Sequence, residues 1–428
     1  MRTAQEKIRE WIHTHERDAA VLLKRLIQQP SIRGKEGKTQ AIIVEKCRQL
    51  GLDIDLWEID ENQAIKEHPG FHCDRQEFSG NPNLVALLKG KGKGKSIILN
   101  GHIDVVPEGN PEEWTYPPYG GIEKDGKVYG RGTTDMKGGN VALLLAMEAI
   151  IRSGISLDGD VIFQSVIEEE SGGAGTLAAV LRGYKADGAI IPEPTSMKIF
   201  PLQQGSSWFR IHVKGKAAHG GTRYEGRNAI DLATEVIQEI KILEEKRNDG
   251  LRKDPLYKST PIPVPINVGS IRGGNWPSSV PEVCVLEGRY GISPYESVEE
   301  ALQEFEEMIS SLNEQHEWFR DKPLSLEWFG ARWLPGNLEQ GHPLLESLRK
   351  QFADVLGSEP VIEASPWGTD GGILSSYGNT PVLVFGPGQT DKAHETDEYI
   401  ELGRLVEAAE IIALTILDWC GYEEGAEH

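Results

Sequence analysis

Asp160-Val-Ile-Phe-Gln-Ser-Val-Ile-Glu-Glu-Glu-Ser-Gly-Gly-Ala-Gly175 decides how this chain folds. Its first half, Asp160–Ile167, is dominated by β-branched and aromatic residues, the mark of a strand covered on both faces. Three glutamates follow, then glycines that open onto a helical pattern at Gly175–Arg182. A strand running through an acidic turn into a helix is the building block of an open α/β sheet. Such a sheet collects its chemistry beyond the carboxyl ends of its strands.

The alternation continues outward on both sides. Helices are predicted at about 4–28, 37–50 and Gly138–Ser153, and strands at Ile54–Ile59, Leu84–Leu88, Ser96–Asn100 and Ala189–Ile191. The run Lys89-Gly-Lys-Gly-Lys-Gly-Lys95 reads as a solvated hairpin turn between two of those strands. His13 and His15 fall in the first helix, where i,i+2 spacing sends them to different faces and not to one metal. After Pro335 come a helix at 343–356, the strand Pro381–Phe385 and a final helix at 402–419. This pattern predicts a mostly parallel sheet with helices on both faces.

Between these halves the pattern changes. From about residue 206 it runs strand Trp208–Val213, helix 227–247, strands Ile266–Ile271 and Val283–Arg289, helix 296–312 and strand Leu324–Phe329. The helix carries an apolar stripe at Ile230, Ala233, Val236, Ile237, Ile240 and Leu243, one face of a 3.6-residue period. The βαββαβ order is that of a ferredoxin-like unit. A discontinuous main domain (1–206 and 332–428) with an inserted α+β domain (207–331) is therefore expected.

Composition narrows the class of protein. At 428 residues the chain exceeds one ordinary core. It is 39% hydrophobic and 26% charged, as expected of a soluble globular protein. A net charge of −21 repels phosphate backbones and anionic lipid, which argues against nucleic acid and membrane partners. The longest apolar runs, Val141–Met147 and Ile411–Leu417, are far too short to span a bilayer. No hydrophobic leader follows Met1. Cys47, Cys73, Cys284 and Cys420 are scattered, which points to reduced thiols and a cytoplasmic protein.

Metal-grade side chains stand at strand ends or at a helix mouth: His102, Asp135, Glu170, Glu193 and His394. His102 follows a strand in Gly101-His-Ile-Asp104, and Asp104 is placed to accept its second imidazole N–H and fix the tautomer. Asp135 sits in Gly130-Arg-Gly-Thr-Thr-Asp-Met-Lys-Gly-Gly139, where alone it would pass for a helix N-cap. Three adjoining glutamates at 168–170 would repel one another without a cation nearby. Prolines on both sides of Glu193 fix its direction. Two imidazoles, two terminal carboxylates and one carboxylate able to bridge form a ligand set for two divalent ions.

Taken together, Gly101-His-Ile-Asp-Val-Val-Pro107, Tyr129–Gly139, Glu169-Glu-Ser-Gly-Gly173, Glu193-Pro-Thr195 and Ala393-His394 resemble the M20 family of zinc aminoacylases and exopeptidases. The acetylornithine deacetylase and succinyl-diaminopimelate desuccinylase branch is nearest in pattern. The resemblance implies a zinc-exopeptidase-like catalytic domain and an inserted lid that also forms a homodimer. It implies two Zn2+ per subunit, bridged by Asp135, with His102 and Glu193 on one ion and Glu170 and His394 on the other. Co2+ or Mn2+ suit the same donors. Glu169 is implied as general base and Asp104 as the partner of His102. Gly172-Gly173 sets the frame of the glutamate doublet and leaves Glu168 as the extra acid. A cis peptide is implied after Asp135.

In the inserted domain the resemblance implies that His219 polarises the scissile carbonyl of the partner subunit's substrate. There Arg289 is implied to hold a substrate carboxylate and Asn267 to face the site, while Thr369 and Asp370 lie on a substrate loop of the main domain. The implied reaction is hydrolysis of an N-acyl amino acid, with metals activating a bridging water and Glu169 moving its proton. Alternatives are a dipeptidase or exopeptidase acting on a short peptide, or a formamide or carbamoyl amidohydrolase. A binding scaffold that merely kept the fold is disfavoured by the intact ligand set.

Overall fold

The computed structural model describes residues 2–423. The chain divides into two compact units. One comprises residues up to Leu202, Gly336–Ser365 and the chain from Thr369 onward; the other comprises Gln203–Pro335 and Pro366–Gly368.

A nine-stranded mixed sheet forms the centre of the first unit. Val161–Val166, Ile97–His102, Ala189–Ile191 and Val382–Val384 lie side by side and parallel. Asn83–Leu88 and Asp53–Trp57 extend one side antiparallel, and Ile199–Gln203 turns antiparallel on the other. The strands Ile97–His102 and Val161–Val166 are buried along their whole length. The helices Gly138–Arg152 and Leu402–Cys420 pack against each other and bury most of their residues. Because the four central strands share one direction, their carboxyl ends fall along one edge of the sheet. His102 ends one strand, Glu168–Glu170 follow the second, and Glu193 follows the third.

Some local expectations change. The first helix breaks into Ala4–Thr14 and Glu16–Ile27. At the break, His15 stacks on Trp11 with ring centroids 4.0 Å apart and its Nδ1 meets the Trp11 carbonyl at 2.8 Å. His13 instead reaches Glu410 at 3.0 Å. Lys89–Lys95 does not close a hairpin, because Val161–Val166 is inserted between the strands it connects. Its Lys91 and Lys93 amides donate to the carbonyls of Leu157 and Asp158. The short hairpin Ile122–Lys124/Lys127–Tyr129 and the strands Ile199–Gln203 and Ile362–Ser365 carry too few alternating residues to stand out in sequence. All four cysteines are free thiols. Among the described residues no helix is long and apolar enough to cross a membrane.

In the second unit the strands Ile266–Gly273, Val283–Ile292, Gly205–Lys214 and Ser325–Trp333 lie in that order, each antiparallel to its neighbour. Phe209, Ile211, Val213, Leu286 and Tyr290 alternate inward and form a core with Val236, Ile240, Phe305 and Ile309 from two helices, Ala229–Leu251 and Val298–Gln315. A reciprocal cap between Ser297 and Glu300 starts the second helix. Residues of opposite parity form a cross-strand row: Asn267, Arg289, Trp208 and Phe329.

Gly139 sits where its helix crosses the turn before Glu193. A Cβ there would stand 2.2 Å from the Pro192 carbonyl oxygen and 2.9 Å from Pro192 Cβ. Gly139→Ala is predicted to lower stability by about 1–3 kcal/mol through this backbone clash, read as a lower urea midpoint. Gly403→Ala, in the final helix with nothing within 4 Å of its added Cβ, should not lower it.

Candidate metal centre

The loop that carries Asp135 is held from below by one carboxylate. Glu398 is fully buried. Its Oε1 accepts the amides of Thr134 at 2.8 Å and Asp135 at 3.1 Å, and its Oε2 accepts the Gly132 amide at 3.0 Å and Arg131 Nη1 at 2.7 Å. Arg131 also donates to the carbonyls of His394 and Glu395 at 3.2 Å. One buried ion pair thus fixes both the Asp135 loop and the His394 segment. The Asp135–Met136 peptide is cis, as the resemblance implied.

Asp135 is the meeting point. Its Oδ1 lies 3.2 Å from His102 Nε2 and its Oδ2 lies 3.3 Å from His394 Nε2. His102 Nε2 is also 3.7 Å from Glu193 Oε1, and His394 Nε2 is 3.1 Å from Glu170 Oε1. Asp135 lies between the two pairs, and ligand atoms of His102, Asp135 and Glu170 fall within 4.8 Å of one another. Ligand atoms of His102, Glu169 and Glu193 also lie within 4.8 Å of one another. Depth differs along the cluster: the His102 side chain is 1% exposed and that of His394 is 51% exposed.

Asp104 plays a different part from the one expected. His102 Nδ1 meets the backbone carbonyl of Asp104 at 2.9 Å, while the nearest carboxylate oxygen is 3.6 Å away, too far for a hydrogen bond. The carbonyl therefore orients the ring. The carboxylate accepts the amides of Glu169 at 3.3 Å and Glu170 at 3.1 Å, tying the glutamate turn to the His102 strand.

Thr369 and Asp370 are buried. The Thr369 hydroxyl accepts the Gly371 amide, and Asp370 Oδ2 accepts the Thr176 hydroxyl at 2.7 Å. In the second unit His219 is exposed, its Nδ1 accepting the Gly221 amide at 3.1 Å. Arg289 is half-buried with no acidic partner among the described residues, and burial brings it down to about 10. Asn267 is exposed opposite it on the next strand. Sequence reasoning missed Glu398 and Arg131: Arg131 lies within the Gly130–Gly139 motif and Glu398 four residues beyond His394, with nothing in their spacing to mark the pairing.

The electrostatics are those of a site built around positive charge. Burial pushes Glu193 up to about 7. Burial likewise drives Glu169 well up, against the pull of His102 and with Glu193, Asp370 and Glu170 adding to the rise. Burial would also raise Asp135, but the two imidazoles hold it well below the usual range. Hydrogen bonds to Asp135 and Glu170 lift His394 to about 11. Protons are thus drawn into the cluster to balance carboxylates that water does not reach. Imidazole nitrogens and carboxylate oxygens are the donors zinc and its neighbours take, and two ligand atoms about 2.1 Å from a tetrahedral ion lie roughly 3.4 Å apart. The separations found here fit that group.

Comparison with known proteins agrees with the fold. A family model described as peptidase family M20/M25/M40 matches residues 98–418. The chain is 33% identical over 405 residues to the N-formyl-4-amino-5-aminomethyl-2-methylpyrimidine deformylase of Halalkalibacterium halodurans, covering 89% of this chain and 88% of that one. It is 31% identical over 385 residues to a probable succinyl-diaminopimelate desuccinylase of Staphylococcus aureus, covering 84% and 88%. A tripeptidase structure from Staphylococcus aureus superposes with a TM-score of 0.72 at 21% identity, covering 95% of this chain and 98% of that one, a likeness of fold.

Removing the buried acceptor leaves three amides unanswered and the buried Arg131 without its carboxylate. Glu398→Ala should therefore cost about 3–5 kcal/mol, measured as a drop in the denaturant midpoint of the first unit.

Proposed function

The chain belongs to the M20/M25/M40 peptidase family, and from that premise we propose a two-metal hydrolase that removes a small acyl group from an N-acyl amino acid. The observation that carries this reading is the carboxylate of Asp135, whose two oxygens each face a different imidazole. His102 and Glu193 would complete one position, and Glu170 and His394 the other. Zinc is the proposed ion, with cobalt or manganese suited to the same donors. When bound, two such cations polarise an amide carbonyl and lower the pKa of a water between them.

The chain's own residues supply the rest. Glu169, buried beside His102 and Glu193, is the proposed base. Its carboxylate takes the proton of the attacking water and returns it to the leaving nitrogen. Asp104 fixes where that carboxylate stands through the Glu169 amide. The second unit, about 207–331, is the proposed lid and dimer contact, with His219 steadying the oxyanion. Arg289 is the basis for choosing an amino-acid substrate: a half-buried guanidinium with no acid of its own suits a carboxylate. Asn267, opposite it in register, would assist.

A second reading is supported by the deformylase relative, whose named substrate is the formamide of an aminomethylpyrimidine. The same water and base would serve a formyl group. N-acetylornithine, N-formylated aminopyrimidine and simple dipeptides, assayed side by side on zinc-loaded protein, separate the two readings and the peptidase alternative. Preference for the acetylated amino acid, lost on Arg289→Met, is the expected result. Preference for the formylpyrimidine, with Arg289→Met unaffected, would replace the first reading by the second.

Elemental analysis tests the metal assignment. Asp135→Asn should lose both ions, and His394→Ala should lose one. Glu169→Ala should keep both and lower kcat by about 10²–10⁴. Full metal content in Asp135→Asn, or full turnover in Glu169→Ala, would rule the assignment out.

A further inference from the structure

Glu168 is the acid the proposed chemistry leaves over, yet it is among the most enclosed carboxylates of the chain. Its residue is 0% exposed. Arg33 Nε reaches its Oε2 at 2.9 Å and Arg75 Nη1 reaches its Oε1 at 2.5 Å. The Cys73 thiol donates to Oε2 at 3.2 Å, and Arg33 Nη2 in turn meets that sulfur at 3.3 Å. Arg75 is shared with a second buried acid, Glu36, at 2.9 Å, and lies over the Phe78 ring with its guanidinium carbon 4.7 Å from the centroid. Two guanidinium groups thus face two buried carboxylates. Breaking such a set from one side is costly.

The backbone of the same residue bears on the site. Glu168 takes φ 64°, a left-handed conformation that side chains other than glycine, asparagine and aspartate rarely adopt. In that conformation its carbonyl accepts the amides of Gly173 at 2.7 Å and Ser171 at 3.4 Å, closing the turn that carries Glu169 and Glu170. Asp104 holds the same turn at the amides of Glu169 and Glu170. The turn is therefore gripped at two points.

We propose that Glu168 is a positioning residue: its carboxylate, clamped by Arg33, Arg75 and Cys73, holds the strand end in the left-handed turn that aims Glu169 and Glu170. The assignment rests on the reading above only in giving those two glutamates their roles as base and ligand. A buried acid with an unfavourable backbone conformation, held by partners from 33 to 75, fits a clamp better than a passive filler.

Zinc affinity by chelator competition and amide hydrogen exchange of residues 169–173 test the clamp in the full-length protein. Glu168→Gln and Glu168→Gly are the variants, the second supplying the residue best suited to φ 64°. Both should weaken one ion by about 10–100-fold, as loss of an outer partner does, leave the other ion bound, and speed exchange across 169–173. Arg33→Gln, changed at the exposed edge of the clamp, should move both readouts in the same direction and serves if the Glu168 variants do not fold. Unchanged affinity and exchange in the folded variants would overturn the proposal. So would equal weakening of both ions with faster exchange throughout the unit, which would mark a merely structural acid. Neither readout needs a substrate, so failure to hydrolyse any amide would sink the functional reading and leave the clamp standing.

Discussion

One carboxylate shared between two imidazoles organises this protein. Asp135 can face His102 with one oxygen and His394 with the other only if three distant segments arrive at the same point with their backbones fixed. Parallel strands deliver His102 and Glu193, because strands of one direction end along one edge of the sheet. The Asp135 loop and the His394 segment have no strand end to set them. The Glu398–Arg131 pair does it instead, accepting amides from one and donating to carbonyls of the other.

The same logic repeats around the glutamate turn. Asp104 contributes a carbonyl to orient the imidazole and a carboxylate to hold two amides. Glu168 adds a grip from the opposite side. Buried acids of this kind are expensive unless every oxygen is answered, and most of those here are answered by backbone amides or guanidinium groups. Of the acids directed at the centre, burial raises Glu193 to about 7, whereas the two imidazoles hold Asp135 well below the usual range.

Much of this was legible in the chain. Long apolar runs such as Val161–Val166 and regular helical stripes such as that of Ala229–Leu251 declared both the α/β sheet and the βαββαβ pattern. Ligand-type residues at strand ends declared the centre, since position along a strand is a local property of sequence. What did not show is what depends on contacts between remote segments. The pairing of Glu398 with Arg131 spans 267 residues and leaves no periodicity. Asp104 meets His102 with its carbonyl at 2.9 Å while its carboxylate stays 3.6 Å away, a choice that residue type alone does not reveal. The Lys89–Lys95 connection looked like a hairpin because nothing local reveals that a strand from seventy residues further on, roughly, slips between its neighbours. His15, an ordinary helix residue by spacing, stacks on Trp11 at the point where the helix breaks.

The uneven depth of the cluster has a kinetic corollary. His102 and Glu193 sit at the floor, whereas His394 opens to solvent. If the proposed ions bind, the one beside His394 would meet solvent directly and exchange with it more readily than the one enclosed beside His102.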